Sequence, residues 1–164
     1  MHIKIISSGQ TGVDSCALDA TLDLGEPCGG WCPEDRMAED GRIPDKYPLI
    51  ILAESGYRKR TKQNVLDSDA TVIIYFDYIY PKGATELTLL ECIKQSKAYL
   101  LIDGNEVSIE RAAERIYLFC HQNNITTLNV AGPKGASLPQ AHSYTQHVIT
   151  QMLNKIMNQD QPQT

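Results

Sequence analysis

Short apolar runs alternate with amphipathic stretches over most of the chain. Residues 71–76 form the clearest run, which is β-branched and apolar at both odd and even positions, a pattern typical of a strand buried on both faces. Similar runs predict further strands at residues 3–6, 98–102 and 126–131. Helical periodicity predicts helices at about residues 13–22, 57–68, 85–96, 108–123 and 139–156.

This alternation predicts an α/β sandwich with a mainly parallel sheet of about five or six strands. No linker or internal repeat interrupts it, so we expect residues 1–157 to form a single domain. The polar residues 158–164 are predicted to be a flexible C-terminal tail. Within the helix at 85–96, we expect Leu87, Leu90 and Ile93 to point inward.

Residues 26–50 depart from the alternating pattern. They contain four prolines and three glycines, which leave no room for a long helix. A long irregular segment of this kind is either an ordered binding loop or a solvated excursion. Trp31, the only tryptophan in the chain, favours the first interpretation because its ring needs a surface to pack on.

The predicted helix at 57–68 has few apolar residues and carries a polar stripe instead. Tyr57, Arg60, Thr61 and Asn64 are spaced so that they share one helical face. Polar stripes commonly face solvent. Here the combination of aromatic, guanidinium, hydroxyl and amide groups favours a face that contacts a ligand.

Three glycine-containing turns, at residues 7–14, 81–85 and 131–137, each follow a predicted strand and precede a predicted helix. In a parallel sheet such turns share the carboxyl edge, where open α/β proteins bind ligands. Glycine lets the backbone approach a ligand closely, and a helix N-terminus offers unpaired N–H groups to an anion. With Arg60 and Lys134 as sources of positive charge, the turns predict a crevice for an anionic small molecule.

The first of these turns matches no standard phosphate-binding motif. It is not a P-loop, because no Gly-Lys-Ser/Thr closes it, and it lacks the third glycine of the dinucleotide fingerprint. Taken alone, it is explained equally well as a tight turn with a hydroxyl cap. Asp14 suits the first turn of a helix but would compete with a phosphate, so it could instead accept from a ligand hydroxyl or amine.

Composition narrows the class of protein. The 164 residues carry a net charge of −5, which argues against a general nucleic-acid surface. No stretch is apolar enough to cross a bilayer, and the N-terminus leads directly into a strand without a signal peptide, so we expect a cytoplasmic protein. Five scattered cysteines indicate no disulfide framework, and four histidines form no metal-binding motif, so we expect no protein-ligated metal.

Six motifs spread along the chain are more specific together than any single turn. They are Ser-Gly-Gln-Thr-Gly-Val-Asp at 8–14, Gly-Gly-Trp-Cys-Pro at 29–33, Ala-Glu-Asp-Gly at 38–41, Tyr-Arg-Lys-Arg-Thr at 57–61, Asp-Ser-Asp-Ala-Thr at 67–71 and Asn-Val-Ala-Gly-Pro at 129–133. In these motifs the chain resembles the putative molybdenum carrier family, which belongs to the circularly permuted YpsA-like branch of the SLOG superfamily. The resemblance covers roughly residues 3–156.

The resemblance implies a Rossmann-like three-layer sandwich and a nucleotide-like or molybdopterin-type ligand, such as molybdenum cofactor, that the protein carries or senses. Relatives in this superfamily are often homo-oligomers, so a homo-oligomer is expected, without nucleic-acid or membrane partners. The candidate ligand-binding residues come from the turns, the irregular segment and the polar helix. They are Ser8, Gly9, Gln10, Thr11, Gly12, Asp14, Trp31, Arg60, Asn64, Asp69, Gly83, Ala84, Thr85, Gly132 and Lys134.

The chain departs from the family pattern at two positions. Ser8 and Ala84 stand where the family usually has glycine. Each change adds a side chain where backbone is expected to approach the ligand, which would narrow the pocket or change its preference.

An enzymatic alternative follows from the wider superfamily, which includes nucleoside-monophosphate phosphoribohydrolases with a Pro-Gly-Gly-x-Gly-Thr turn followed by a glutamate. Residues 81–86 resemble that turn in part. Cleavage of an N-glycosidic bond needs a carboxylate that supports charge at the sugar and activates water. Under this alternative Asp14 and Glu86 are the candidate catalytic residues.

Overall fold

A computed structural model describes residues 1–135 and 138–160 of the chain. The helices are α1 (Val13–Asp23), α2 (Tyr57–Asp67), α3 (Ala84–Lys94), α4 (Ile109–Gln122) and α5 (Gln140–Gln159). The strands are β1 (Lys4–Ile6), β2 (Cys28–Gly29), β3 (Trp31–Cys32), β4 (Met37–Ala38), β5 (Gly41–Arg42), β6 (Ile50–Ile51), β7 (Ala70–Tyr75), β8 (Ala98–Asp103) and β9 (Thr127–Ala131). The end of the third predicted turn, residues 136–137, and residues 161–164 of the predicted tail lie outside the described residues.

Five strands form one parallel sheet in the order β2-β1-β9-β7-β8. Helices α1, α4 and α5 pack together on one face, and α2 and α3 pack together on the other. These three layers confirm the predicted Rossmann-like α/β sandwich. Because all five strands run the same way, the segments that follow β1, β7 and β9 emerge at one edge of the sheet.

Strand β7 is buried on both faces, as its sequence predicts. Val72 and Ile74 belong to the main core, which also includes residues of α1, α4 and α5. Thr71 and Ile73 are equally buried, and because side chains alternate along a strand they face the layer of α2 and α3. Strand β7 therefore has no solvent-facing side, and only its ends are available for function.

Helix α3 is oriented differently from the prediction. Its buried residues are Thr88, Glu91 and Cys92, whereas Leu90 and Ile93 are 48% and 54% exposed. The expected inward orientation of Leu90 and Ile93 is wrong. The predicted set and the buried set both recur at helical spacing. Periodicity alone therefore did not identify which stripe of α3 packs against the sheet.

The irregular segment is ordered and packs against α1. Its strand β3 pairs with β6, and its side chains Ile43, Tyr47 and Leu49 form a second core with Leu18 of α1. At its centre the buried guanidinium of Arg36 donates to four backbone carbonyls, at 2.9–3.3 Å. The segment is therefore a fixed part of the fold and not a solvated excursion.

Within residues 1–135 and 138–160, none of the helices combines the length and the apolar composition needed to cross a membrane. All five cysteines are free thiols.

Candidate functional site

A crevice of about 630 Å³ lies at the carboxyl edge of the sheet. Its wall includes the end of β7 at Tyr75, the loop from β7 into α3, and the start of α2. The turn after β1 and the residues that follow β9 complete it. The lining residues that bear on its chemistry are Gln10, Asp35, Tyr57, Arg60, Tyr75, Tyr78, Tyr80, Lys82, Gly83, Ala84, Thr85, Gly132 and Lys134.

A second, much smaller cavity of about 30 Å³ adjoins the crevice. Arg60, Ala84, Thr85 and Gly132 line both cavities, so the small one forms the deep end of the same site. Its other lining residues are mostly polar: Ser8, Asp14, Thr61, Asn64, Thr88 and Asn129. The sequence expectation that turns far apart in the chain meet at one edge of the sheet is borne out in this geometry.

Asp14 and Arg60 are the charged groups of the deep end. Burial raises the pKa of Asp14 to about 6, although the positive charge of Arg60, the hydrogen bond from Ser8 and the nearby backbone N–H groups of Gly132 and Gln10 act in the opposite direction. Burial likewise lowers the pKa of Arg60, and the nearby charge of Asp14 opposes this shift. The pKa of Asp14 therefore lies well above the usual range of a carboxyl group.

Ser8 has a defined role in this arrangement. Its hydroxyl donates a hydrogen bond to Oδ2 of Asp14, and both residues are buried. The side chain of Ser8 therefore supports one oxygen of Asp14. Oδ1 of the same carboxylate has no partner among the described residues.

The glycines of the first turn serve the packing of the chain and do not line either cavity. Gly12 has a φ of +87°, and a Cβ there would overlap the carbonyl oxygen of Pro133 and lie 2.5 Å from the backbone nitrogen of Gly135. Gly9 has a φ of +74°, and a Cβ there would collide with Leu49. At both positions the absence of a side chain lets other segments of the protein, and not a ligand, approach the backbone closely.

The N-terminus of α3, not that of α1, faces the crevice. Gly83 is its N-cap and supplies no side-chain hydrogen bond, and Ala84 and Thr85 line both cavities. The first N–H groups of a helix have no partner within the helix and carry a partial positive charge. The second glycine-containing turn therefore brings an anion-binding group to the place where the crevice and its deep end meet.

A wall of tyrosines lines the wider part of the crevice. Tyr57 begins α2, Tyr75 ends β7, and Tyr78 and Tyr80 follow in the next loop with their hydroxyl groups 2.9 Å apart. Sequence reasoning did not assign Tyr75, Tyr78 or Tyr80 to the site. The available signal was their clustering immediately after the best-predicted strand, in front of a glycine-containing turn.

Two exposed lysines lie at the outer rim. Lys82 belongs to the loop before α3, and Lys134 follows β9. Lys134 was predicted from the sequence, whereas Lys82 was not. The two lysines supply positive charge at the rim, where Asp35 also lines the crevice. In the deep end the charge of buried Arg60 is opposed by that of Asp14.

Three predicted residues have other roles. Asn64 lines the deep cavity, but its amide exchanges hydrogen bonds with the backbone of Trp31, at 2.8 and 3.0 Å. The Trp31 indole donates to Asp67, and its ring lines neither cavity. Asp69 precedes β7 and accepts from Thr126 and Thr127, so it lies at the opposite edge of the sheet from the crevice.

Thr11 and Glu86 also line neither cavity. The hydroxyl of Thr11 donates to Glu39 and accepts from the backbone N–H of Gly135, which ties the first turn to its neighbours. Of the two carboxylates considered for catalysis, only Asp14 reaches the site.

An acidic group lies at the carboxyl ends of β7 and β8. Asp77, Asp103 and Glu106 are the only described residues whose potential metal ligands cluster within 4.8 Å of one another. Asp103 already accepts the backbone N–H groups of Asp77 and Asn105, at 3.0 and 2.9 Å. Through these hydrogen bonds Asp103 orders the loops that follow β7 and β8.

The profile of the circularly permutated YpsA SLOG family matches residues 5–153 of the chain. Among solved structures, the chain is similar to the crystal structure of a putative molybdenum carrier protein from Syntrophus aciditrophicus, with 41% sequence identity and a TM-score of 0.88. The similarity covers 93% of this chain and 95% of that one. No curated protein matches the chain.

Proposed function

Because this chain belongs to the circularly permuted YpsA family of SLOG proteins, we propose that it binds a phosphate-bearing small molecule with a flat ring, as a carrier or sensor. The ligand occupies the crevice at the carboxyl edge of the sheet. The observation that carries this proposal is the meeting of a free helix N-terminus, a buried arginine and a tyrosine wall in one cavity.

The anionic part of the ligand binds at the start of α3. Ala84 and Thr85, whose backbone N–H groups have no partner within the helix, line both cavities together with buried Arg60. A helix N-terminus and an arginine together suit a phosphate, because both donate hydrogen bonds and favour negative charge. Lys82 and Lys134 at the rim attract an anion from solution.

The ring of the ligand lies among the tyrosines. The crevice volume of about 630 Å³ falls within the range typical of small-molecule sites, and its aromatic wall offers flat apolar surface. Tyrosine rings stack on heteroaromatic rings while their hydroxyl groups stay hydrated. A nucleotide and a molybdopterin both combine such a ring with a phosphate.

A molybdenum-cofactor ligand is supported by the relative from Syntrophus aciditrophicus, whose name describes a molybdenum carrier. The residues of this chain fit the phosphate and the ring of such a molecule, which would be cargo here. A nucleotide fits the same features, and only binding measurements separate the two.

The phosphoribohydrolase alternative has less support. Glu86, its second candidate carboxylate, lines neither cavity. Binding without turnover is therefore the favoured function.

We also propose that the protein is a homo-oligomer in a reducing compartment, such as the cytoplasm. β8 is an edge strand of the sheet, and its exposed Tyr99 and Leu101 lie on the side of α3, where Leu90 and Ile93 are exposed as well. Apolar side chains clustered at a sheet edge favour association with another chain. The five free thiols fit a reducing environment.

Thermal unfolding with a panel of AMP, GMP and CMP tests the binding function, together with pterin fluorescence after oxidative extraction of the purified protein. A ligand that binds only the native state adds about 2.7 kcal/mol to the unfolding free energy when its free concentration is about 100 times its Kd. We expect Arg60→Ala to abolish the stabilisation and the exposed control Arg115→Ala on α4 to retain it.

The outcomes separate the alternatives. Stabilisation by a nucleotide, or recovery of a pterin in stoichiometric amount, supports the carrier or sensor function. Free base released from a nucleotide would favour the hydrolase instead. Stabilisation by none of the compounds, with no pterin recovered, would overturn the proposal.

A further inference from the structure

Asp14 and Arg60 are opposite charges that are buried together without pairing. They are 6% and 3% exposed. Among the described residues, they form no ion pair within 4.0 Å. A buried charge is costly unless hydrogen bonds or a partner compensate it, so this arrangement calls for a group that connects the two.

One atom on each side lacks a hydrogen-bond partner. Oδ1 of Asp14 and Nη1 of Arg60 each have less than 1 Å² of accessible surface and no partner among the described residues. Bulk solvent therefore does not satisfy them. The remaining contacts hold both side chains in place, because Ser8 donates to the other oxygen of Asp14 and Nε of Arg60 donates to the carbonyl of Tyr57.

The size of the cavity that both residues line selects the connecting group. Its volume of about 30 Å³ is close to the share of one water molecule in the liquid, so neither a ring nor a phosphate fits inside. An ionised carboxylate only accepts, and a guanidinium only donates. An ammonium group cannot accept from Arg60, and a carbonyl oxygen has nothing to donate to Asp14. A hydroxyl group does both through one oxygen atom, and so does a water molecule, which a ligand hydroxyl entering the cavity would replace.

We propose that the deep cavity is a hydroxyl subsite, in which a sugar hydroxyl of a phosphorylated ligand donates to Oδ1 of Asp14 and accepts from Nη1 of Arg60. This rests on the proposed function, because it takes the phosphate to lie at the N-terminus of α3. Ala84 and Thr85 line both cavities, so phosphate and hydroxyl lie within the reach of one sugar phosphate. The ligand class is a ribonucleotide or ribose phosphate rather than a deoxy compound.

Ser8 is the positioning residue of this subsite. Its hydrogen bond occupies Oδ2 of Asp14, which directs the acceptor capacity of the carboxylate to Oδ1. Replacing Ser8 by alanine leaves the charges and the cavity but removes this constraint. Through this constraint, Ser8 strengthens the preference of the subsite for a ligand with a sugar hydroxyl.

Isothermal titration with three matched compounds, AMP, 2′-deoxy-AMP and 3′-deoxy-AMP, tests the subsite, and ribose 5-phosphate and 2-deoxyribose 5-phosphate repeat the comparison without the base. A lost hydrogen bond to charged partners weakens binding by about ten- to a hundredfold, so one deoxy nucleotide is expected to bind that much more weakly than AMP. Asp14→Ala is expected to bring the ratio of the Kd of the weaker deoxy nucleotide to the Kd of AMP close to one. Ser8→Ala is expected to lower the same ratio without abolishing the preference for AMP. Asp23→Asn serves as the control: it removes an exposed carboxylate from the same helix and should keep the wild-type ratio.

Each outcome decides the question. A ribose preference that is lost in Asp14→Ala supports the subsite. If that variant does not fold, Asp14→Leu replaces it, because leucine has a similar volume and accepts no hydrogen bond. Equal affinity for all three nucleotides overturns the subsite but leaves the proposed binding function standing. If no nucleotide or sugar phosphate binds, the subsite is overturned, and recovery of a pterin from the purified protein then decides the binding function separately.

Discussion

The backbone N–H of Val13, at the start of α1, donates a hydrogen bond to the carbonyl oxygen of Pro133 at 3.3 Å. The segment after β9 therefore covers the N-terminus of the first helix with the protein's own backbone. The sequence suggested this helix end as an anion-binding site. In the structure, part of its N–H donor capacity is used by a carbonyl group of the protein itself. The corresponding end of α3 faces the crevice instead.

Gly12→Ala is expected to destabilise the fold by about 3 kcal/mol or more, since it combines an unfavourable positive φ with a clash against the segment after β9. Urea denaturation measures the loss. Gly25→Ala is the matched control, because Gly25 has a φ of +69° but open space around it, so only the backbone cost of about 1 kcal/mol remains. Equal losses in the two variants would contradict the close packing at Gly12.

Asp14→Asn is expected to flatten the pH dependence of stability. The pKa of Asp14 is raised from 3.8 to about 6 in the folded state, so folding favours the protonated form. Its contribution to the unfolding free energy is therefore largest below pH 4 and falls as the pH rises to about 6. The difference corresponds to about 3 kcal/mol.

Urea denaturation at pH 4, 5, 6 and 7 measures this effect, provided that no ligand is added. Asp23→Asn on the same helix removes an equal charge from an exposed position and should keep the wild-type slope. Identical slopes for wild type and Asp14→Asn would show that Asp14 titrates as an ordinary carboxylate.

Tyr57→Ala and Tyr80→Ala are expected to weaken the binding of a nucleotide by about tenfold each, because stacking on an aromatic ring contributes about 1–3 kcal/mol per base. Binding of ribose 5-phosphate, which has no base to stack, should change much less. Tyr99→Ala, which removes an exposed tyrosine of β8 outside the crevice, is the control for both titrations. Parallel losses for both ligands would mean that the tyrosines do not contact the ring.

Ile93→Glu and Leu101→Lys are expected to convert an oligomer into a monomer, because each introduces a charge into the exposed apolar surface of α3 and β8. Light scattering coupled to size-exclusion chromatography measures the mass. Leu118→Lys changes a similarly exposed leucine on α4 and should leave the mass unaltered. A monomeric wild-type protein, or an unchanged oligomer in both variants, would exclude this surface as the interface.

The sequence was least informative about which groups become neighbours within the site. Trp31 and Asn64 were both candidates for ligand contact, yet they hydrogen-bond to each other and fasten β3 to α2. Asp69 belongs to a family motif, but its carboxylate orders the start of β9 at the far edge of the sheet. In each case a polar side chain found its partner in a segment distant along the chain, and local patterns do not specify such partners.

The sequence alone predicted the five helices, four of the five strands of the main sheet, their parallel direction and the common edge of the three turns. Those features follow from hydrophobic periodicity and from the direction of parallel strands, which are local or topological properties. Tertiary packing alone decided that α3 rather than α1 offers its N-terminus, that tyrosines after β7 form a wall, and that Asp14 and Arg60 are buried near each other unpaired. The physical reason is that burial and partner choice depend on how the helical layers close over the sheet.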